Sequence, residues 1–222
     1  MSCLLHIETS GEIASVCLSE NEQALGLLKN ETQADHAAWL HPAIQQLLHE
    51  SGKKPSGLDA ISVTIGPGSY TGLRIGLAAA KGLCFALRVP LISVGTLEWM
   101  ALSVQNEAAD LICPVIDARR REVYTALYTN ALEIVEPPQA LILDETRFFA
   151  VLDTRRVLFC GSGCKKMQEI TSHPHAAVSE TTANASHLIA PALARFEKKD
   201  FSDTAYSEPA YIKDFYTPGR KK

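Results

Sequence analysis

Three short stretches of the sequence carry residue types that can hold an anion. Glu8-Thr9-Ser10-Gly11 ends an apolar run with a carboxylate, two hydroxyls and a glycine. Gly66-Pro67-Gly68-Ser69 precedes a helical pattern, and free backbone N–H groups at a helix start can face a negative ligand. Asp117-Ala118-Arg119-Arg120-Arg121 sets three arginines after a carboxylate. Each stretch also has the composition of an ordinary turn, so both interpretations stay open at this point.

The glycine stretch matches neither of the common nucleotide-binding loops. No GK[ST] follows Gly66 or Gly68 at the Walker spacing, and Thr71 stands where the last glycine of GxGxxG belongs. Glycine tolerates positive φ and close backbone approach, while Pro67 stiffens the turn. We therefore favour a tight turn that needs no ligand, with Ser69 or Thr71 capping the following helix.

No set of residues indicates a metal site or a nucleophile. His36 and His41 are five residues apart in a helical pattern, so they point about 140° apart and cannot hold one ion on one face. The six cysteines include no CxxC pair and lie mostly in apolar runs, which indicates buried thiols. No GxSxG motif marks a catalytic serine. The sequence therefore assigns no catalytic residue and no metal ligand.

The helix predicted after the glycine stretch, over residues 70–87, has few polar residues for a surface helix. Its cations are seven residues apart and form a narrow line: Arg74, Lys81 and, after its end, Arg88. Small residues form a ladder that lets another backbone approach: Gly72, Gly76 and Ala80. We expect one side to cover a sheet and the other to meet a neighbouring helix or a second protein. A central helix of one large domain fits the pattern equally well.

The order of predicted elements is that of a ribonuclease-H-like α/β unit, with a weaker second copy. In the first copy we predict strands at 3–8, 13–18, 24–28, 61–65 and 91–94, and helices at 35–50, 70–87 and 96–105. In the second we predict strands at 111–117, 122–128, 132–135, 156–160 and 176–178, and helices at 145–152, 165–171 and 184–198. The predicted domains are 1–105, joined by 206–217 with a strand at 208–212, then 106–205, and a tail at 218–222.

The 35–50 helix has a predicted buried stripe and one irregularity. The stripe consists of Ala37, Leu40, Ile44, Leu47 and Leu48. Pro42 should kink or split the helix. Trp39 lies off the stripe, so we expect it to be partly exposed.

Composition restricts the class of protein. The chain has 222 residues, 46% of them hydrophobic, and a formal net charge of −4, which argues against gripping nucleic acid over its whole surface. A local basic patch remains compatible with that charge. No apolar run reaches the ~18 residues of a membrane span, and no basic region precedes the first strand. We therefore expect a cytoplasmic protein without a signal peptide.

Several motifs together give a resemblance that covers nearly the whole chain. They are LLHIETS, HPAIQQLLHESG, LDAISVTIGPGSYTGLRIGLAAAKGLCFAL, VIDARRREVYTALY and EPAYIKD. With these motifs the chain resembles the TsaB (YeaZ) family of the tRNA threonylcarbamoyladenosine pathway. The resemblance implies two tandem ribonuclease-H-like domains of the actin-like ATPase (ASKHA) superfamily. It also implies a non-catalytic subunit that acts in modification of adenosine 37 in ANN-decoding tRNAs.

The resemblance further implies the partners. The chain would dock on and activate a TsaD-type catalytic subunit, with a TsaE-type ATPase joining, and would form a homodimer in isolation. ATP and metal would be held by the partner subunits, and tRNA would be contacted indirectly. The implied interface lies on helices 35–50 and 70–87, with these candidate residues: His36, Trp39, Leu40, Ala43, Tyr70, Arg74, Leu77 and Lys81. The alternative is a stand-alone ATP-dependent transferase or hydrolase that uses the interdomain cleft.

ATP-binding relatives in the superfamily hold phosphates with two turns, which correspond to the first and third stretches above. The candidate anion- or nucleotide-proximal residues are Glu8, Thr9, Ser10, Gly66, Gly68, Ser69, Arg119 and Arg120. Glu8 replaces the family's usual Asp, and arginine side chains would obstruct a backbone cradle, so we expect no complete nucleotide site. The catalytic relative's HxxxH position falls on Thr96 to Met100, which lacks both histidines. The arginines form either a solvated turn or a patch that faces tRNA or a partner's phosphate.

Overall fold

The computed structural model describes residues 1–32, 35–144 and 148–213. Ten strands are β1 Cys3–Glu8, β2 Ala14–Glu20, β3 Gln23–Asn30, β4 Ala60–Thr64, β5 Leu91–Val94, β6 Leu111–Asp117, β7 Glu122–Thr129, β8 Ile134–Ile142, β9 Val157–Cys160 and β10 Ala176–Val178. The α-helices in these ranges are α1 His36–Glu50, α2 Tyr70–Leu87, α3 Thr96–Ser103, α4 Phe149–Leu152, α5 Cys164–Ile170 and α6 Ile189–Lys198. No helix in the described ranges combines the length and apolar character needed to span a bilayer.

The strands form two five-stranded sheets with matching topology. The first has the order β3-β2-β1-β4-β5, and the second has the order β10-β9-β6-β7-β8. In each sheet the first strand of the unit pairs antiparallel with the second and parallel with the fourth. This repeat confirms the predicted fold class, two tandem ribonuclease-H-like units of the actin-like superfamily. The predicted domain boundaries stay a prediction.

The outer face of the first sheet is covered by α1 and α2. The residues of the core that they form include Leu5, Ile7, Val16, Leu40, Leu47, Ile61, Val63, Leu77 and Ala80. Ser69 caps α2, because its hydroxyl accepts a hydrogen bond from the Gly72 N–H. The small-residue ladder faces the end of β1. A Cβ added to Gly72 would lie 2.0 Å from the Thr9 carbonyl oxygen, and one added to Gly76 would lie 2.2 Å from the Thr9 hydroxyl. The backbone that approaches the ladder is therefore the chain's own.

A second core lies between the two sheets and joins them. From the first unit it includes Leu4, Ile92, Leu97, Trp99 and Met100, and from the second unit Ile112, Ala126, Tyr128, Leu158 and Leu188. Trp99 is 5% exposed, and its indole N–H donates to the Asn184 carbonyl oxygen at 3.0 Å. Because large apolar side chains fill this layer, α3 is held against both halves of the molecule.

Some elements differ from the sequence prediction. Helix α1 runs without a break through Pro42, because buried residues on both sides of the proline anchor the helix to the sheet. Strand β8 extends to Ile142 across Pro137 and Pro138, at a point where its pairing with β7 shifts register. The last predicted helix begins with a 3-10 turn at Ala185–Leu188, capped by Asn184.

The predicted strand at 208–212 is wrong. The Ala210 N–H donates to the Ile65 carbonyl oxygen at 2.7 Å, just beyond the end of β4, and no ladder forms in the described part of this segment. An added Cβ on Gly66 would lie 2.6 Å from the Ala210 carbonyl oxygen, so the segment crosses the glycine turn instead of extending the sheet. Residues 145–147 of the predicted 145–152 helix, residues 214–217 and the predicted tail lie outside the described residues.

Because α2 lies so close to β1, a glycine-to-alanine substitution should have opposite effects on stability at two positions of α2. Gly72→Ala should lower the free energy of unfolding by about 1–3 kcal/mol, because the new methyl group meets backbone. Gly82→Ala, the matched control on the same helix, should raise it by about 0.5–1 kcal/mol, because its Cβ meets nothing within 4 Å. Urea unfolding of the two variants measures both changes. Equal effects would contradict the packing described here.

Candidate functional site

The first two candidate stretches meet at the edge of the first sheet. The Ser69 N–H donates to the Ser10 carbonyl oxygen at 2.7 Å, and the Thr9 hydroxyl donates to the Gly72 carbonyl oxygen at 2.7 Å. An added Cβ on Gly68 would lie 2.6 Å from that same Ser10 carbonyl oxygen. The glycine at 68 is thus required by contact with the chain itself. We call this pair of turns, residues 8–11 and 66–72, the turn interlock.

Thr96 holds the other end of the glycine turn. Gly66 has a φ of 126°, a conformation that favours glycine. Its N–H donates to the Thr96 hydroxyl at 3.1 Å, and its carbonyl oxygen accepts from the Thr96 N–H at 2.8 Å. Thr96 is 2% exposed. The position therefore supports the turn.

Glu8 lies beneath the turn interlock and is 1% exposed. Its Oε1 accepts from the Ser10 N–H at 2.6 Å and from the Ser10 hydroxyl at 2.5 Å, with the Thr64 hydroxyl at 3.4 Å. Burial raises the pKa of Glu8 to about 7, although these hydrogen bonds lower it in part. The Ser10 N–H, which a phosphate would need, is therefore already engaged by a carboxylate of the chain.

The corresponding turn of the second unit follows β6. Asp117 Oδ1 accepts from Lys166 Nζ at 2.5 Å and from the Arg119 N–H at 2.6 Å. The Lys166 hydrogen bond and the cations nearby lower the pKa of Asp117. Arg119, Arg120 and Arg121 are all exposed around this ordered base. The structure thus keeps both open interpretations of the arginines.

The Gly161–Gly163 turn, which follows β9, packs tightly against the chain. An added Cβ on Gly161 would lie 2.0 Å from Met100 Cε and 2.7 Å from the Val115 carbonyl oxygen. At Gly163 it would lie 2.5 Å from Val115 Cγ1. The glycines are explained by contact with β6 and α3. Within the described part of the chain, no three His, Cys, Asp or Glu side chains could share one metal ion.

The structure corrects part of the candidate interface. Four of its residues lie in the chain's own core: His36, Leu40, Ala43 and Leu77, at 3%, 0%, 3% and 4% exposure. The three on α1 are enclosed because the buried face of that helix begins at His36, whereas Ala37 is exposed. Leu77 lies on the face of α2 that packs into the same core. They therefore offer no surface to a second chain.

The other four interface candidates reach the surface of α1 and α2. Trp39 is half-buried against the core, and Tyr70 is 41% exposed. Arg74 lies 4.0 Å over the Tyr70 ring and donates from Nε to the Tyr211 hydroxyl at 3.1 Å. Lys81 donates to the carbonyl oxygens of residues 205 and 207 at 3.0 Å each. The cationic line is thus largely occupied by the chain's own C-terminal segment.

The open flank of α2 presents a groove that the candidate interface did not include. It has a volume of ≈ 400 Å³ and lies between α1 and α2, lined by Ala37, His41, Ile75, Ala78, Ala79, Gly82 and Leu83. Phe85, on the last turn of α2, is 84% exposed. The signal in the sequence is the spacing of Ala78, Gly82 and Ala86, three exposed small residues four apart on the side away from the ladder. We call this surface the helix groove.

The buried carboxyl group predicts a pH dependence of stability. A folded pKa of about 7 against 4.5 for the free group means that Glu8 adds stability below about pH 4.5 and loses it as the pH rises through 7. Between pH 5 and pH 8 the wild type should lose about 2 kcal/mol of unfolding free energy relative to Glu8→Gln. Urea unfolding of both proteins at both pH values measures the difference.

Comparing the wild type with Glu8→Gln cancels the effects of other titrating groups, because both proteins contain them. The pKa of His6, two residues before Glu8, is lowered to about 3 by burial, which gives an effect of opposite sign in both proteins. Parallel pH profiles for the wild type and Glu8→Gln would show that the carboxyl group is not desolvated as described.

Comparison with known proteins shows the family. The protein-family model for TsaD, described as tRNA N6-adenosine threonylcarbamoyltransferase, matches residues 12–214. The chain is 35% identical over 161 residues to the tRNA threonylcarbamoyladenosine biosynthesis protein TsaB of Bacillus subtilis, covering 71% of this chain and 70% of that protein. It is 35% identical over 126 residues to TsaB of Escherichia coli, covering 56% and 54%.

Solved structures agree with the sequence comparison. A Pseudomonas aeruginosa protein described as uncharacterized, with similarity to peptidase YEAZ, superposes with a TM-score of 0.85 at 27% identity, covering 96% of this chain and 100% of that one. YeaZ from Pseudomonas aeruginosa superposes with a TM-score of 0.81 at 27% identity, covering 95% and 100%. The chain belongs to the TsaB (YeaZ) family of tRNA threonylcarbamoyladenosine biosynthesis proteins.

Proposed function

We propose that this chain is a non-catalytic subunit required for threonylcarbamoyladenosine modification of adenosine 37 in ANN-decoding tRNAs. It docks on a TsaD-type catalytic subunit and activates it. A TsaE-type ATPase joins the assembly, and the partner subunits hold ATP and metal. The proposal extends the family's role in biosynthesis of this nucleoside to a specific task for the chain.

The helix groove is the observation that carries the docking proposal. An apolar groove of ≈ 400 Å³ flanked by an 84% exposed phenylalanine is costly to leave in water. Small residues at Ala78 and Gly82 would let a partner helix approach the α2 backbone closely. A TsaD-type subunit of the same fold class has corresponding helices to offer. In isolation, a second copy of this chain would cover the same surface as a homodimer.

The turn interlock supports the non-catalytic part of the proposal. A phosphate cradle needs free backbone N–H groups, and the N–H groups of Ser10, Gly66 and Ser69 all have partners within the chain. Thr9 and Ser10 are at most 4% exposed. An enzyme that used ATP in the interdomain cleft would have to separate these turns first, which would break the contacts that position α2.

Gly82→Gln tests the docking surface. An added Cβ at Gly82 meets nothing within 4 Å, so the monomer should fold with equal or slightly greater stability. The side chain would fill the helix groove, so affinity for the TsaD-type subunit and self-association should each fall at least about tenfold. Calorimetry with the purified subunit and sedimentation velocity of the chain alone measure the two affinities, and a reconstituted tRNA modification assay measures the consequence.

Gly57→Gln is the matched control. Gly57 is exposed between α1 and β4, and its Cβ would also meet nothing within 4 Å. This variant should bind and dimerise as the wild type does. If Gly82→Gln behaves like its control in both measurements, the helix groove is not the interface. Micromolar ATP binding with turnover by the isolated chain would favour the stand-alone enzyme instead.

A further inference from the structure

We propose that the arginine turn of the second unit, with the cleft beside it, contacts the phosphodiester backbone of the tRNA directly. The arginine turn is defined as residues 117–122, between β6 and β7. The inference rests on the proposed function, because that function makes a tRNA the substrate of the assembly. It adds a contact between RNA and this chain, whereas the family resemblance implied only an indirect one.

The charges at the base of the turn are already balanced. Asp117 forms an ion pair with Lys166, and Glu122 forms one with Lys213 at 2.5 Å. Among the residues that the structure describes, neither Arg119 nor Arg121 has its guanidinium within ion-pair distance of a carboxylate. Both side chains are exposed, so a ligand from outside can reach them. The chain has a net charge of −4, so these arginines form a local positive patch on a protein that is negative overall.

Folding alone does not explain arginine at these positions. Arg119 and Arg120 have φ angles of 68° and 53°, so two successive residues adopt the left-handed conformation. Glycine or asparagine adopts it at lower cost, and turns with this geometry favour those residues. The Asp117 carboxylate, which accepts from the Arg119 N–H, helps to hold the turn in place. Such strain at an ordered, exposed turn is typical of binding sites.

The neighbouring cleft has the size and the asymmetry to take one nucleotide. It has a volume of ≈ 550 Å³ and is lined by Arg120, Arg121, Leu143, Asp144, Lys166, Glu169 and Ile170. Leu143 and Ile170 provide an apolar floor for a base, and a guanidinium plane can stack on one. Asp144 and Glu169 would repel phosphates but accept from base amino groups. The phosphates would therefore lie along the arginine side.

This RNA surface shares no residue with the helix groove. The cleft is built on the second sheet by the turn after β6, the segment after β8 and helix α5, whereas the helix groove is built by α1 and α2 on the first sheet. A chain docked on a TsaD-type subunit through the helix groove keeps the arginine turn open. The two surfaces can therefore be tested separately.

Charge reversal of the turn tests the inference. Fluorescence anisotropy would measure binding of the isolated chain to a labelled, unmodified anticodon stem-loop of an ANN-decoding tRNA, at 50 and 200 mM salt. Arg119→Glu/Arg121→Glu should weaken binding at least about tenfold. It should also reduce the magnitude of the slope of log K against log[salt] by about 1.5–2. Both side chains are exposed, so thermal unfolding should match the wild type.

Arg155→Glu/Arg156→Glu is the matched control. These exposed arginines precede β9, beside the start of β6, so they carry the same charge change at the opposite end of that strand. They should lower affinity by no more than about threefold. Equal losses in the two double variants, or no salt-dependent RNA binding by the wild type, would overturn the inference. Displacement of RNA by inorganic tripolyphosphate at equimolar phosphate would also overturn it in favour of a small polyphosphate ligand.

The two proposals fail in different ways. Arg119→Glu/Arg121→Glu should bind the TsaD-type subunit like the wild type, while Gly82→Gln should bind the RNA like the wild type. Loss of docking with RNA binding intact would remove the proposed interface alone. Loss of RNA binding from the wild type, with docking intact, would remove the inference alone.

Discussion

The contact between the ends of β1 and α2 is the constraint on which the rest of the first unit depends. Glycine at 68 and 72 allows the helix start to lie against the carbonyl oxygens of Thr9 and Ser10, at distances that exclude any Cβ. This contact fixes the direction and rotation of α2. Because the small-residue face is used on the chain's own strand, the opposite face remains for other contacts. An inward ladder and an outward groove are thus two results of one packing arrangement.

The same contact engages polar groups at the carboxyl end of β1. In this fold class the edge where β1 ends is where an anionic ligand would be expected. Here the N–H groups of Ser10, Gly66 and Ser69 all donate within the chain, and Glu8 is kept away from water at a cost in stability. A position built to hold phosphate would leave N–H groups free. Here the Ser10 N–H donates to the Glu8 carboxylate, and the Ser69 N–H at the start of α2 donates to the Ser10 carbonyl oxygen, so both are engaged within the chain.

Much of the fold could be predicted from local patterns, whereas the site depended on contacts remote in sequence. The bounds of β1, β5, β6 and β10 agree with the predictions because each is a short, mostly apolar run between turn residues. Ser69, just before the helical pattern, was also a predicted cap of α2, which the structure confirms. The predicted buried face of α1 was wrong at the start of the helix, where His36 is buried and Ala37 is exposed. The reason is that β3 supplies Asn30 as a hydrogen-bond partner for the histidine ring. No periodicity within one helix reveals such a contact. The four core residues were predicted at an interface by the family resemblance, although the helical periodicity already placed Leu40 on the buried stripe.

The C-terminal segment has a mechanical consequence. It bonds to the β5 edge through Ser202, to α2 through Lys81, to the glycine turn through Ala210 and to β7 through Lys213. These contacts connect the segment to both halves of the molecule and oppose any separation of the two sheets. The apolar layer around Trp99 opposes it as well. A molecule held in this way would enter the proposed assembly with little change in its fold. Little conformational entropy is then lost on association, so even a modest contact area can hold it in place.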